Sequence, residues 1–242
     1  MNLPILYQDS DLVVVNKTSG LLVHRSAIDR HASEFALQTV RDQLGRRVYP
    51  VHRLDRPTSG ALIFALSSES ARFLANEFAL GKVEKTYLAV VRGTPPSNGV
   101  VDYPLKEELD AKSDPLAKSD KAAQNAVTAF STIATHEFPV MVDKFPTARY
   151  SLVRATPKTG RKHQIRRHLR HLGHPIVGDV QYGSGKHNRF FKSSFNISRL
   201  LLASTALSFQ HPTSGGQVRV QAPLADDFMQ LMDHLDWRGH VV

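Results

Sequence analysis

The densest group of reactive side chains in the sequence is the segment HRLDRPTSG at residues 52–60. Its single carboxylate, Asp55, lies between Arg53 and Arg56, and a cation within a few ångströms favours the ionised form of a carboxyl group. An ionised aspartate suits a nucleophile or a base better than an acid. The alternative is a simple turn, because Asp, Pro, Ser and Gly are the residue types that turns prefer. The residue types alone leave both interpretations open.

A second candidate segment, residues 159–175, is rich in arginine, lysine and histidine. Its apolar residues recur at helical spacing, and a glycine followed by a proline closes it, which predicts a basic helix from about residue 161 to residue 172. Arg161 and Lys162 would then stand at the helix N-terminus, where the macrodipole disfavours cations unless an anion such as phosphate compensates. A solvated basic face is the plainer alternative, although departures from local preference are often functional.

The charge balance indicates a polyanionic partner. The chain has 31 Lys+Arg against 22 Asp+Glu, a formal net charge of +9. A protein that neutralises phosphates releases counterions, so an excess of basic residues is the usual mark of nucleic-acid binding. Net charge can also serve solubility alone. Nucleic acid is therefore one candidate partner that composition supports.

Several other classes of function find no support in the sequence. The chain has no cysteine, which excludes disulfides, thiolate metal sites and a cysteine nucleophile. No apolar run approaches the ~18 to 20 residues that span a bilayer, and no signal-peptide pattern opens the chain, so we expect no membrane association and a cytoplasmic location. Neither a Walker-type phosphate loop nor a G-x-S-x-G elbow is present.

The histidines of the basic segment have spacings that could suit a metal ion. These residues are His163, His168, His171 and His174. The segment offers no carboxylate ligand, and its many arginines and lysines would repel a divalent cation, whereas zinc sites usually include Cys, Asp or Glu. We therefore expect no metal here, and we expect these histidines to pack, to cap the helix or to contact nucleic acid.

The elements that must position these segments are mostly strands. Alternating or continuous apolar runs predict strands at residues 5–7, 12–15, 61–66, 87–91, 127–135, 150–155, 200–209 and 217–221. Helices are predicted over residues 71–78 after an N-cap at Ser67 or Ser68, in the basic segment, and near the C-terminus with Asp226 as a candidate N-cap. Many strands with few helices indicate an α+β fold with a mixed, largely antiparallel central sheet flanked by helices.

The length of the chain suits one compact catalytic domain over residues 1–242, since single cores stop growing near ~250 to 300 residues. The polar segment 106–125 interrupts the apolar pattern without an amphipathic period. We predict that it is an exposed insertion.

Segment 52–60 resembles the signature of RluA-type pseudouridine synthases, and Asp55 would be the aspartate of that signature. Segments 15–24, 85–87, 159–169 and 173–179 also resemble motifs of the family and follow in the family's order. The resemblance covers nearly the whole chain. It implies the pseudouridine synthase fold and the isomerisation of uridine in RNA without any cofactor. The large rRNA-modifying members carry an N-terminal S4-like domain, for which we expect no room before residue 5.

The resemblance also implies roles for individual residues. Asp55 would attack the target nucleotide or deprotonate its sugar, and Arg166 would hold Asp55 in its ionised form. Tyr87 would stack on the flipped uracil and help to remove the final proton. Arg53 would occupy the space that the base leaves, because an enzyme that acts on a base takes it out of the stack. Contacts with the RNA backbone are implied for Arg161, Lys162 and Arg167.

Residues 23–26, 56–57, 145–150 and 162–169 more closely resemble a tRNA-modifying branch of the family. This implies tRNA as the partner and uridine 65, in the stem between the acceptor and T-loop regions, as the target. We expect the enzyme to act as a monomer. Alternatives remain: a synthase that acts on rRNA or on both RNAs, a non-catalytic RNA-binding protein of the same fold, and another carboxylate enzyme such as a glycosidase. A glycosidase would normally have a second carboxylate paired with Asp55, and the sequence offers no convincing one.

Overall fold

The computed structural model describes residues 2–24, 34–107 and 122–240, and a ten-stranded mixed sheet forms its frame. The strands are β1 Ile5–Gln8, β2 Leu12–Lys17, β3 Tyr49–Pro50, β4 Ser59–Ala65, β5 Glu84–Arg92, β6 Asn98–Asp102, β7 Val127–Phe138, β8 Ala148–Pro157, β9 Leu202–Gln210 and β10 Gln217–Gln221. The strand order is β1-β2-β4-β9-β5-β8-β7-β6, with β10 beside β9 and β3 beside β4. Strands β4 and β9 run parallel and the other pairs run antiparallel. The predicted α+β fold with a largely antiparallel sheet is confirmed.

Helices flank this sheet. They are α1 Ala36–Leu44, α2 Ser68–Ala79, α3 Gln164–His171, α4 Gly185–Phe195 and α5 Asp226–His234, with a short 3-10 turn at Arg238–His240. None of the helices in the described ranges is both long and apolar enough to cross a membrane. Helices α1 and α4 and strands β3 and β6 are additions to the elements predicted from sequence.

Strand β4 is buried on both sides, as its continuous apolar run predicts. All of its residues are buried. Leu62 and Phe64 belong to one hydrophobic cluster, whereas Ala61, Ile63 and Ala65 belong to another on the opposite face of the sheet. The alternation follows from the two-residue period of a strand. Segment 52–60 therefore leads directly into a rigid central strand.

The basic helix begins later than predicted. It starts at Gln164, because His163 has left-handed backbone angles, with φ 56 and ψ 25, that cannot continue a helix. The Gln164 side chain accepts a hydrogen bond from the backbone N–H of Arg161 at 3.0 Å. Arg161 and Lys162 thus precede the helix in a turn. The prediction that the helix begins at about residue 161, with these two cations at its N-terminus, was wrong.

The C-terminal helix also differs slightly from its prediction. Ala225 is its N-cap residue, with an extended backbone, and Asp226 is its first helical residue. Asp226 therefore does not cap the helix. Its carboxylate, with that of Asp227, instead lies in the first turn, where negative charge is favourable.

Most of the predicted insertion, residues 108–121, lies outside the described residues. The backbones at its two ends lie side by side. Leu105 and Gln124 exchange backbone N–H···O hydrogen bonds of 2.9 and 3.0 Å. The two ends of segment 106–125 therefore meet at a single point of the fold.

Candidate active site

The loop that carries Asp55 connects β3 to β4, and His52 anchors its first half. His52 Nε2 accepts a hydrogen bond from the Ile63 backbone N–H at 3.0 Å, and its ring stacks on Phe78 with centroids 4.4 Å apart. Burial lowers the pKa of His52 to about 3, so the ring stays neutral and remains an acceptor. Although His52 belongs to the reactive segment, its contacts support the loop.

Lys17 anchors the second half of the loop. Its buried Nζ donates to the carbonyl oxygens of Thr18, Leu21 and Arg56 at 2.9, 2.8 and 3.2 Å. Burial lowers the pKa of Lys17 to about 7, while the nearby charge of Asp55 acts in the opposite direction. The ammonium group joins the turn after β2 to the residue that follows Asp55.

Gly60 allows β4 to lie against β9 beside this loop. Its φ is +113°, a conformation that side-chain-bearing residues rarely adopt. A Cβ at this position would lie 2.1 Å from the backbone oxygen of Ser204. The glycine at the end of segment 52–60 therefore has a packing role, while Asp55 is left to face the cavity.

The carboxylate of Asp55 lies next to a buried ion-pair network. Arg166 Nη1 donates to Asp55 Oδ2 at 3.2 Å, while Arg166 Nε and Nη2 donate to the two oxygens of Asp179 at 2.7 and 2.9 Å. The side chain of Arg166 is 5% exposed and that of Asp55 is 25% exposed. Burial disfavours the charge on Arg166, but the hydrogen bonds and charges of Asp179 and, to a smaller extent, of Asp55 outweigh it and raise the pKa of Arg166. The Arg166 guanidinium therefore remains protonated at neutral pH.

Asp55, Tyr87 and Arg166 line one cavity of about 860 Å³. This space is of the size that accommodates a small-molecule ligand or a single extruded nucleotide. Tyr87 is buried, and burial raises its pKa to about 12, so at neutral pH it is a phenol and not a phenolate. Its ring can stack on a base, whereas deprotonation of its hydroxyl is costly.

The four predicted RNA contacts divide into two groups. Arg53, Arg161 and Lys162 line the same cavity as Asp55. Arg167 is not part of the cavity wall, and its Nη1 donates to the backbone oxygen of Lys106 at 2.8 Å. Three of the four cations thus line the cavity, and Arg167 lies beside Lys106, at the start of segment 106–125.

Lys85 lines the cavity as well, although it was not among the predicted site residues. It is only 8% exposed, yet its ammonium group has no hydrogen bond or ion pair with any of the residues described. Burial lowers its pKa, and the charge of Lys158 on the cavity wall lowers it further. A buried lysine usually has a partner. The available signal was weak, because Lys85 lies between Glu84 and Thr86 at the polar start of β5, before its apolar run.

The later histidines of the basic segment form local contacts. His168 is buried between Thr128 Oγ1 at 2.9 Å and the Tyr103 backbone oxygen at 3.1 Å, and the ring of His171 stacks on Tyr103. His174 Nδ1 lies 2.9 Å from the backbone oxygen of Arg92. These contacts match packing roles.

Among the described residues, the one cluster with three groups of metal-ligand type is Asp9, Asp11 and His211, remote in sequence from the basic segment. His211 Nδ1 accepts from the backbone N–H groups of Thr213 and Ser214, and its Nε2 lies 2.8 Å from Asp9 Oδ2. Both ring nitrogens are therefore engaged. The cluster joins the turn between β9 and β10 to the turn between β1 and β2.

The chain belongs to the RNA pseudouridylate synthase family, whose family model matches residues 11–171. Similar curated proteins named tRNA pseudouridine synthase C occur in Vibrio parahaemolyticus and Pasteurella multocida. The first is 50% identical over 242 residues, covering 100% of this chain and 98% of the relative. The second is 51% identical over 237 residues, covering 98% of each. The resemblance found in the sequence motifs is confirmed.

Solved structures support the same assignment. Human RNA Pseudouridylate Synthase Domain Containing 4 superposes with a TM-score of 0.71 at 25% identity, over 96% of this chain and 92% of that chain. Human RNA Pseudouridylate Synthase Domain Containing 1 gives a TM-score of 0.68 at 25% identity, over 97% and 95%. The fold predicted from the motif resemblance is therefore found in solved members of the family.

Proposed function

We propose that the chain converts uridine 65 of tRNA to pseudouridine in the cytoplasm, with Asp55 as the catalytic carboxylate and without a cofactor. Asp55 either attacks C1′ of the ribose or removes the proton from C2′. In both routes the C1′–N1 bond breaks, the uracil turns within the site, and C1′ bonds to C5. In the first route the bond between Asp55 and C1′ breaks as C5 attaches, and in the second Asp55 returns its proton to C2′. The C5 proton then leaves and N1 ends with a proton. Both routes begin from an ionised carboxylate.

The observation that carries this proposal is the pairing of Asp55 with Arg166 at the wall of a cavity. A buried guanidinium that two hydrogen bonds fix to Asp179 offers its remaining Nη1 to Asp55 at 3.2 Å. Such a fixed donor stabilises the carboxylate without reorganisation. Tyr87, in the wall of the same cavity, supplies a buried ring for stacking on the extruded base.

The cavity also suits an RNA substrate electrostatically. Arg53, Arg161, Lys162, Lys85 and Lys158 all line it, and the chain as a whole carries +9. Extruding a paired base costs a few kcal/mol, and phosphate contacts around the entrance offset that cost. Because A-form RNA hides its base edges in a deep narrow groove, recognition would depend more on the shape of folded RNA than on flanking sequence.

The choice of tRNA rests on the relatives. Proteins named tRNA pseudouridine synthase C are 50% and 51% identical to this chain over nearly its full length. The aligned regions include both the residues of the cavity wall and the basic segment. Position 65 follows from the resemblance of the motifs to that branch of the family. We further propose that a monomer and one catalytic domain suffice, with segment 106–125 as an exposed insertion.

The test is to incubate purified protein with an unmodified tRNA transcript that has uridine at position 65 and to map pseudouridine. Two other RNAs serve as substrate controls. One is the same tRNA transcript with cytidine in place of uridine 65 and guanosine opposite it, so that the stem stays paired, and the other is a large-subunit rRNA fragment. We expect pseudouridine at position 65 of the first transcript alone. Modification of the rRNA fragment but not of the tRNA would contradict the tRNA assignment and leave the reaction intact.

The role of Asp55 is tested with Asp55→Asn, which keeps the shape of the side chain but provides neither nucleophile nor base. We expect RNA affinity within a few-fold of wild type and no detectable product. Asp102→Asn, at an exposed position at the end of β6, is the matched control and should turn over normally. Turnover by Asp55→Asn would rule out Asp55 as the catalytic group.

A further inference from the structure

His163 lies between the carboxylate of Asp55 and the hydroxyl of Tyr182. Its Nε2 is 4.0 Å from Asp55 Oδ1, and its Nδ1 is 2.9 Å from the Tyr182 hydroxyl oxygen. The ring also lines the cavity that contains Tyr87. The two ring nitrogens of one histidine thus face two different groups of the site.

The backbone of His163 is held in an uncommon conformation. Its φ of 56 and ψ of 25 lie in the left-handed region, where residues other than glycine occur rarely. Asn and His are among the residue types that tolerate this region best, but a backbone position of this kind costs free energy. Such conformations cluster at functional sites, where the surrounding structure fixes them.

The contact with Asp55 favours one tautomer of the ring. Because a carboxylate faces Nε2, the arrangement with hydrogen on Nε2 and a lone pair on Nδ1 is favoured electrostatically. Nδ1 then accepts a hydrogen bond from the Tyr182 hydroxyl. Tyr182 is itself fixed, since its backbone N–H donates to Asp179 Oδ1 at 3.0 Å and its ring lies 4.9 Å from the Arg166 guanidinium carbon.

We propose that His163 is a positioning residue for Asp55, with its Nε2–H directed at Oδ1 while Arg166 holds Oδ2. The two oxygens of the carboxylate would then each have a dedicated donor, and the group would have a single orientation toward the ribose of the extruded nucleotide. This inference rests on the proposed function of Asp55.

The present separation is compatible with that role. At 4.0 Å the Nε2···Oδ1 contact is about 1 Å longer than a formed hydrogen bond. Catalytic hydrogen bonds in sites without substrate are often long and shorten when the substrate binds. Asp55 is on a loop and is 25% exposed, so a small rotation of its side chain would close the gap.

Two substitutions at position 163 distinguish the contribution of Nε2 from that of Nδ1. His163→Gln places an amide N–H near the position of Nε2 and keeps a donor for Asp55. His163→Asn is shorter, reaches only toward Tyr182, and suits the left-handed backbone at least as well as histidine. We expect His163→Asn to lower kcat on the tRNA transcript about 10- to 100-fold with little change in KM, the scale of a misoriented catalytic group. His163→Gln should retain kcat within a few-fold.

A third variant tests the arrangement without changing residue 163. Tyr182→Phe keeps the ring beside Arg166 but removes the hydroxyl that pairs with Nδ1 of His163. We expect kcat to fall in the same direction as in His163→Asn but by less, again with little change in KM. Thermal melting of each variant checks that it is folded.

The outcomes are distinct. A folded His163→Asn with wild-type kcat would overturn the inference, and so would an increase in KM alone, which would make His163 an RNA contact. Equal loss of kcat in folded His163→Gln and His163→Asn would show that the donor at Nε2 does not matter. If the substitutions at position 163 prevent folding, unchanged kcat in Tyr182→Phe overturns the inference instead. Absence of product with wild-type protein on both tRNA and rRNA would overturn the proposed function, and this inference with it.

Discussion

Arg166 pairs with Asp179 through two parallel hydrogen bonds, from Nε to Oδ2 at 2.7 Å and from Nη2 to Oδ1 at 2.9 Å. This bidentate geometry fixes the plane of the guanidinium and leaves Nη1 directed at Asp55. Asp179 also accepts backbone N–H groups of Gln181 and Tyr182, which hold it in place. The orientation of the cation next to Asp55 therefore depends on a residue outside the cavity wall.

Replacing Asp179 with Asn should destabilise the protein and reduce its activity. The amide keeps one acceptor but turns an NH₂ group toward the guanidinium, so Arg166 loses its buried counter-charge. Breaking a buried pair in this way costs about 3 to 5 kcal/mol. We expect a loss of that size in the free energy of unfolding, measured by denaturant titration, together with lower kcat.

The matched control for this variant is Asp233→Asn. Asp233 pairs with Arg238 at 3.0 Å, but both side chains are exposed, at 44% and 67%. Exposed pairs contribute about 0 to 1 kcal/mol, so this control should change stability little. Equal effects of the two substitutions would show that the Arg166–Asp179 pair has no special role in the fold.

Arg166→Met should lower turnover far more than RNA affinity. Methionine fills much of the same volume but leaves Asp55 without its donor at Oδ2. It also unpairs the buried Asp179, so rates are compared on protein shown by thermal melting to be folded. The comparison variant is Arg167→Met, from the next position on α3, where the guanidinium donates to the Lys106 backbone oxygen instead. Single-turnover rates and binding constants separate the two effects. An unchanged rate in Arg166→Met, with a shallower dependence of affinity on salt, would make Arg166 a phosphate contact.

Lys85→Met should weaken RNA binding without weakening the fold. Lys85 is buried in the cavity wall near Lys158 and has no anionic partner among the described residues, so a phosphate of the bound RNA is its natural counter-charge. We expect lower affinity and a salt dependence reduced by about one phosphate contact. Because methionine removes a buried charge, the melting temperature should stay equal or rise.

The control for Lys85→Met is Lys192→Met, at an exposed position on α4 away from the cavity wall. It should alter affinity and salt dependence much less. If both variants bind RNA as wild type does, the ammonium group of Lys85 is not in contact with a phosphate.

The sequence predicted the parts of the molecule that short segments specify. Strand β4 was predicted because its apolar run is continuous and is buried on both faces. The loop before it stood out because one aspartate, two arginines, a proline and a glycine lie within nine residues. Both signals depend on neighbours along the chain.

The remaining features depend on contacts between distant segments. Arg166 and Asp55 are 111 positions apart, and no local pattern links them to Asp179. Helix α4 was not predicted because its only apolar side chains are three phenylalanines in a polar segment, and their packing against β8 and α5 becomes visible only in the folded cluster. The start of α3 depended on the left-handed backbone of His163, for which residue type gives a weak preference.

His52 is expected to make stability depend on pH in the acidic range. In the folded protein burial lowers its pKa from 6.5 to about 3. Between these values the unfolded chain binds a proton at this residue and the folded protein does not. The free energy of unfolding should therefore fall as the pH decreases below about 6.5, by up to about 1.4 kcal/mol per pH unit from this residue.

His52→Gln tests this dependence. The side-chain oxygen of glutamine can accept the Ile63 N–H in place of Nε2, but it does not titrate. At pH 8 the variant should therefore lie within about 1 to 2 kcal/mol of wild type, the difference reflecting the lost ring stacking on Phe78. Between pH 6.5 and pH 4 its free energy of unfolding, from urea titrations, should fall less steeply than that of wild type. Other buried histidines, such as His168 and His187, titrate in both proteins and cancel in the difference. Parallel curves would mean that His52 accepts a proton equally well in the folded and unfolded chains, and that the bond to Ile63 does not keep it neutral.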